Sequence, residues 1–431
     1  WKVNPDLFSN LKIRASYGSL GNGNVSPYSF LELLSISTSG RVLNGLKNKY
    51  TSAPAVMPDG LTWETATTTD VGLDFGMLNN RLQFNGDYYI RKTTDMYTVG
   101  ETLPDVFGAS SPKGNYADMT TKGWEITLTW RDQFTLAEKP FNYEIRGTLS
   151  DYISTIDRYN NQTGNLDDYY AGKRVGEIWG YVTEGLFKDQ ADIDSHADQT
   201  LIQSSSKRIT YPGDVKIKDL NGDHVIDYGN NTVDDHGDKT VIGNALPRYA
   251  YSINLSGDWN NFFLSAFFQG VGKQDWYPSS ECIFWGQYNR PYNNMPTWHQ
   301  GNYWTEDNTD AYLPRYAGYN ASLKSTPQTR YLQNVAYIRL KNLQFGYTLP
   351  QPIVSKAKLQ NVRVYISAEN LWCWSPLYKH TRDLDVTNIY GSDPDLTDAD
   401  MSSGLNGNRG SGDGNSYPQM KSVSLGLSVT F

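Results

Sequence analysis

The chain has 431 residues, 31 of them Tyr and 12 Trp, yet only 38% belong to the wider hydrophobic set. A soluble core of that size ordinarily draws on more aliphatic side chains. A membrane barrel needs them only on alternate strand positions, although composition alone also allows a Tyr-rich secreted β-protein. The net charge of −8 carries no basic block and argues against nucleic acid as a partner. No run approaches the roughly 18 apolar residues of a membrane-crossing helix, which excludes helical membrane proteins only.

The predicted elements are strands, recognised by period-2 alternation. Leu11, Ile13, Ala15 and Tyr17 begin the series, followed by Val71, Leu73, Phe75 and Met77, then Leu82, Phe84, Tyr88 and Ile90. Trp124, Ile126, Leu128 and Trp130 form the next stripe, then Phe141, Tyr143, Ile145 and Leu149. Tyr249, Tyr251, Ile253, Leu255 and Trp259 alternate with polar or small residues, and further strands are expected near 262–272, 334–349 and 359–373. The last stripe is Val423, Leu425, Leu427, Val429 and Phe431, opposed by Ser422, Ser424, Gly426, Ser428 and Thr430. About ten strands result, many of the ten-residue length that crosses a bilayer at a tilt.

Short turns are expected at Met77–Asn80, Asp132–Pro140, Trp259–Asn261 and Leu349–Leu359. Long polar segments lie between them, near 19–62, 98–116, 155–246, 273–333 and 374–418. Strict alternation of short and long connections is the mark of a transmembrane barrel with short periplasmic turns and long external loops. The predicted fold class is therefore all-β, an antiparallel transmembrane β-barrel. Residues 155–246 and 273–333 are its largest extracellular loops. The opening WKVNPDLFSNLKIRASYG has no signal peptide and starts in a strand-like segment, so the sequence is read as part of a longer chain.

Two constellations invite a site. Asp219, Asn221, Asp223 and Asp227, with the Val225 carbonyl between them, have the oxygen spacing of a calcium-binding loop. His224 stands where such loops carry Gly, and Asn230 where they carry a bidentate Glu; the bland alternative is an Asx-rich turn bonded to its own backbone. Trp276, Trp285, Trp298 and Trp304, interleaved with Tyr, form the second set. They are candidates for stacking on a ligand or partner, or else for packing a loop of about sixty residues that needs a core of its own. Catalytic patterns such as GxSxG or HExxH are missing, so no enzyme is expected and no cofactor is required; a structural Ca2+ is the one candidate. Cys282 and Cys373 lack metal-ligand spacing and are left as a disulfide or two thiols.

Several segments together resemble the SusC/RagA family of TonB-dependent outer-membrane transporters. They are LKIRASYGSLGN (11–22), LTWETATTTDVGLDF (61–75), TTKGWEITLTW (120–130), GEIWGYVTEGLFKDQADI (176–193) and PGDVKIKDLNGDHVID (212–227). VIGNALPRYAYSINL (241–255), LKNLQFGYTLP (340–350), NVRVYISAENL (361–371) and SLGLSVTF (424–431) complete the set in family order. His224 and the apparent insertion Asn230–Lys239 depart from the family pattern. The resemblance implies that the chain is the C-terminal ten or so strands of a 22-stranded barrel holding an N-terminal plug. It further implies a SusD-like surface lipoprotein as partner, contact with outer-membrane lipids, and energy from TonB acting on the plug. The implied activity is import of an oligosaccharide, with a peptide importer or a non-transporting surface adhesin as alternatives.

Overall fold

The computed structural model describes residues 7–23, 31, 34–52, 60–100, 106, 111–203, 209–278, 282–288, 293–317, 323–324, 326–387, 389 and 419–431. Residues 390–418 of the last predicted loop lie outside them.

Ten strands form one antiparallel sheet in chain order, numbered here β1 to β10. They are β1 Phe8–Asn22, β2 Glu64–Met77, β3 Leu82–Val99, β4 Lys113–Leu136 and β5 Lys139–Arg158, then β6 Arg248–Trp259, β7 Phe262–Lys273, β8 Tyr337–Thr348, β9 Asn361–Trp374 and β10 Ser422–Thr430. Each pairs with its chain neighbour, and among the described residues β1 and β10 each pair on one side only. The sheet is thus an open arc of barrel wall. The β2–β3, β4–β5, β6–β7 and β8–β9 connections are short, and every other connection is long.

Cross-strand register shows how the strands are inclined. One row of directly opposed residues runs Leu11, Phe75, Phe84, Leu128, Gly147, Ile253, Phe268, Leu340, Trp372. Leu11 lies three residues from the short-turn end of β1, whereas Trp372 lies eleven residues from that end of β9. A drift of about eight residues over eight steps, at ~3.3 Å per residue and ~4.8 Å per strand, corresponds to a tilt of about 35°. Closed barrels require a stagger of this size.

The two faces differ in chemistry. On β4, Trp130, Leu128, Ile126 and Trp124 share a face, bounded by Asp132 below and Lys122 above. Ten residues at that tilt span about 27 Å, close to the ~25 Å apolar band of outer-membrane barrels. Ile13, Val71, Tyr88, Ile145, Leu264, Ile366 and Leu425 on the same face are all exposed. Water does not tolerate a continuous apolar sheet face of this area; a bilayer does.

The buried hydrophobic cluster of the molecule lies elsewhere. Tyr181, Val215, Ile217, Ile226, Trp276, Trp285, Tyr288, Leu313, Tyr331, Leu377 and Leu384 form it. All come from the long connections β5–β6, β7–β8 and β9–β10. Short ladders stiffen these loops, pairing Glu177–Tyr181 with Lys239–Asn244 and Thr183–Leu186 with Val215–Ile217. The predicted long loops are therefore a folded head on one rim of the wall.

Candidate functional site

The polar face of the wall carries its own hydrogen-bonded network. Arg14 on β1 donates Nε and Nη2 to the two Asp74 oxygens, each at 2.9 Å, and also pairs with Asp87 on β3 at 2.7 Å. Asn85 adds a bond to Asp74 at 2.9 Å. Farther round, Thr148 and Ser252 share a hydroxyl bond of 2.7 Å, Arg131 meets Glu144, and Asn142 donates to Asp258 at 2.8 Å. Alternation forces these groups onto one side once the apolar stripe takes the other. The result is a lining of charges, amides and hydroxyls suited to a wet interior.

At the head, three long loops are joined by a few specific contacts. Asp214 in the β5–β6 loop accepts from Arg315 Nε of the β7–β8 loop at 2.7 Å. Burial raises the Asp214 carboxyl above its ordinary value despite the adjacent guanidinium. The Tyr181 N–H donates to the Pro327 carbonyl at 2.9 Å, and the Thr329 N–H returns a bond to the Tyr181 carbonyl at 3.0 Å. The Tyr312 ring stacks on His380 of the β9–β10 loop, centroids 4.5 Å apart. His299 is fully buried, one ring nitrogen 3.0 Å from the Phe284 carbonyl and the other 3.0 Å from the Tyr316 hydroxyl. Burial pushes its imidazole down to about 4, so it is neutral at pH 7.

The last loop is fastened to the polar face by a buried pair. Arg339 on β8 donates Nη2 to Asp385 Oδ1 at 2.5 Å and Nη1 to Gln419 Oε1 at 2.9 Å. The second Asp385 oxygen accepts the Gln419 N–H at 2.9 Å, and Lys341 reaches Gln419 Oε1 at 3.1 Å. Burial would raise the Asp385 carboxyl, but the Thr387 and Gln419 amides, the Thr387 hydroxyl and Arg339 together hold it below its usual value. Sequence reasoning did not find this group. Its members lie 46 and 80 residues apart, and no local pattern joins them.

Trp276 and Trp285 lie inside the head's core, the packing role that was one of the two expected, and Trp298 and Trp304 pack half-buried against it. Trp276 and Trp285 have no exposed surface. Trp285 donates Nε1 to the Pro278 carbonyl at 3.2 Å and meets Tyr331 edge-on at 5.2 Å. Trp298 lies against Phe284 at 5.0 Å and His380 at 5.7 Å. Trp304 covers Gly213, whose φ of +83° and lack of Cβ permit the approach. A loop of that length needed its aromatics for its own core.

In the proposed cation loop the side-chain oxygens are bonded to the loop's own amides. Asp219 accepts the Gly222 and His224 N–H groups at 2.6 and 2.9 Å, Asn221 accepts that of Asp223 at 3.0 Å, and Asp223 that of Val225 at 2.8 Å. Asp227 accepts the Gly229 N–H at 2.9 Å. These oxygens close successive Asx turns, and among the described residues no three acidic, His or Cys side chains gather as a metal cage. Asp238, fully buried, accepts the Leu220 and Asp227 N–H groups and ties the loop's ends together. Cys282 and Cys373 do not form a disulfide.

No family model matches the chain. TonB-dependent receptor P3 of Formosa agariphila is 29% identical over 444 residues, covering 97% of this chain and 39% of that receptor. TonB-dependent receptor P26 of the same organism is 27% identical, over 100% of this chain and 41% of its own length. TonB-dependent receptor SusC of Bacteroides thetaiotaomicron is 22% identical, over 100% and 39%. Among solved structures, the RagAB peptide importer in its open-open state aligns with a TM-score of 0.68 at 19% identity, covering 99% of this chain and 40% of that one. The chain thus spans about two-fifths of the length of these relatives, which are receptors and transporters, not enzymes.

Proposed function

Because this chain belongs to the SusC/RagA family of TonB-dependent receptors, we propose that it forms part of the wall and external head of an outer-membrane nutrient importer. One observation carries the reading: a ten-stranded tilted sheet with a charge-free outer band about 27 Å tall and a hydrogen-bonded polar inner face. The folded head on the long-loop rim is the surface for substrate and for a SusD-like lipoprotein. TonB would act through a plug outside these residues. Oligosaccharide is the preferred cargo, on the family resemblance alone, because the loop tryptophans are engaged in packing. The RagAB structures, described as a peptide importer, favour peptide as the second reading.

The test uses the full receptor and its neighbouring lipoprotein in the native outer membrane. Cells lacking the receptor are offered defined oligosaccharides or peptides as sole carbon source, with and without complementation. Receptor-dependent growth on oligosaccharide supports the proposal, and growth on peptide alone replaces the cargo. A monodisperse protein that folds in water without detergent would eliminate the importer in favour of a soluble surface adhesin.

A further inference from the structure

The outer face is capped unevenly at its long-loop rim. On β5 the capping charge is Asp151, which is buried and neutralised by Arg248 at 2.5 Å. On β2 the corresponding positions are Thr69 and Thr67, and on β9 they are Trp372 and Trp374. β3 and β4 place two neighbouring cations of the outer face there, Lys92 and Lys122. Both are exposed. Lys92 stands opposite Thr120, and Lys122 opposite Ile90, so the two lysines are diagonal neighbours across the ladder. That relation sets their Cα atoms about 7–8 Å apart, close enough for two long side chains to meet on one anion.

The surroundings sharpen the chemistry. Immediately below, Tyr88 and Trp124 are a directly opposed aromatic pair on the same face. Thr67 and Thr120 flank Lys92 from both neighbouring strands. Of the acids on this rim, Asp118 is held by Arg158 at 2.9 Å with Asp95 on the same guanidinium, and Asp157 accepts from the Thr120 hydroxyl. An apolar wall, an aromatic pair, and then two lysines match a lipid whose acyl chains run down the wall and whose headgroup carries phosphate. The aromatic pair also suits a headgroup built on sugar rings.

We propose that Lys92 and Lys122, with Trp124 and Tyr88 beneath them, bind the phosphate-bearing headgroup of an outer-leaflet lipid. This rests on the membrane orientation given under the proposed function. Interfacial lysines each strengthen binding to anionic lipid by about fivefold at ordinary ionic strength, so removing both is expected to weaken it by more than tenfold.

The experiment titrates the intact receptor, purified in a neutral detergent, with lipid A and reads bound lipid by native mass spectrometry. Lys92→Gln/Lys122→Gln is compared with wild type, with Lys92→Arg/Lys122→Arg, and with Lys139→Gln at the opposite rim. Heat-modifiable gel mobility confirms that each variant is a folded barrel. The proposal expects loss of the tightest lipid A in the Gln pair, retention in the Arg pair and in Lys139→Gln, and no displacement by millimolar inorganic phosphate. Unchanged lipid A binding by a folded Gln pair overturns it. Equal displacement by inorganic phosphate overturns the lipid assignment. Failure of the importer reading itself would show separately, as a wild-type protein that is monodisperse without detergent.

Discussion

Replacing Arg339 by Ala tests how the last loop is held to the wall. Arg339 and Asp385 side chains are 3% and 7% exposed, so the pair is effectively out of water. Deleting one partner of such a pair typically costs 3–5 kcal/mol, because the other charge stays buried and alone. Here Asp385 keeps the backbone donors of Thr387 and Gln419 and the Thr387 hydroxyl. The lower end of that range, about 3 kcal/mol, is therefore expected. The cost should fall on the loop, since β8 retains its ladders to β7 and β9. At about 1.4 kcal/mol per factor of ten, the open population of residues 376–387 rises by roughly a hundredfold. Hydrogen exchange on the intact receptor in detergent reads this directly as lost protection in those peptides, with β8 and β9 unchanged. The double variant Arg339→Met/Asp385→Asn should recover part of it, because Asn keeps an acceptor for the Thr387 and Gln419 amides and leaves no stranded charge. Undiminished protection of 376–387 in Arg339→Ala, or loss spread evenly through the barrel, would refute the reasoning.

Three further outcomes follow from the same structure. His299, depressed to about 4 by burial, is neutral in the folded head but titrates near 6.5 when unfolded. Its contribution is complete above pH 6.5 and declines as pH falls toward 4, by about 2 kcal/mol at pH 5. Proteolysis of the head should quicken accordingly, and His299→Gln should flatten that pH dependence. Leu128→Arg, near the middle of the apolar band, should destabilise the full barrel by about 2–4 kcal/mol in urea titrations in lipid vesicles. Thr127→Arg, one residue away on the polar face, should cost little; equal costs would contradict the assignment of faces. Finally, with their oxygens spent on the loop's own amides, Asp219→Ala and Asp223→Ala should leave the calcium content of the purified receptor unchanged by elemental analysis, whereas a stoichiometric loss would establish the cation loop.

What the sequence could convey depended on how local the cause was. The wall was legible because each strand writes its own environment residue by residue: Trp124, Ile126, Leu128 and Trp130 face one way whatever their neighbours are. Chain order then supplied the topology, since every strand pairs with the next. Turns were located well where their residues tolerate positive φ, as at Asn260 and Asn261. The β4–β5 turn is narrower than the Asp132–Pro140 that the sequence suggests. Its corner is Ala137 and Glu138, both at positive φ, and neither residue type announces a turn.

The head was not legible for the converse reason. Its contacts join residues such as Asp214 and Arg315, which are 101 positions apart, and Arg339 and Asp385. An aromatic-rich loop reads equally as a ligand platform or as a core, and only burial separates the two. The spacing of Asp219, Asn221 and Asp223 likewise fixes where oxygens occur along the chain, not whether they turn toward a cation or toward their own amides. The deeper difference is one of solvent. In the wall, apolar side chains point outward, because lipid is the outer medium. In the head they point inward, because water is. A single hydropathy reading serves the first half of that division and fails the second, since the head's inward face is defined by loops that meet only after folding.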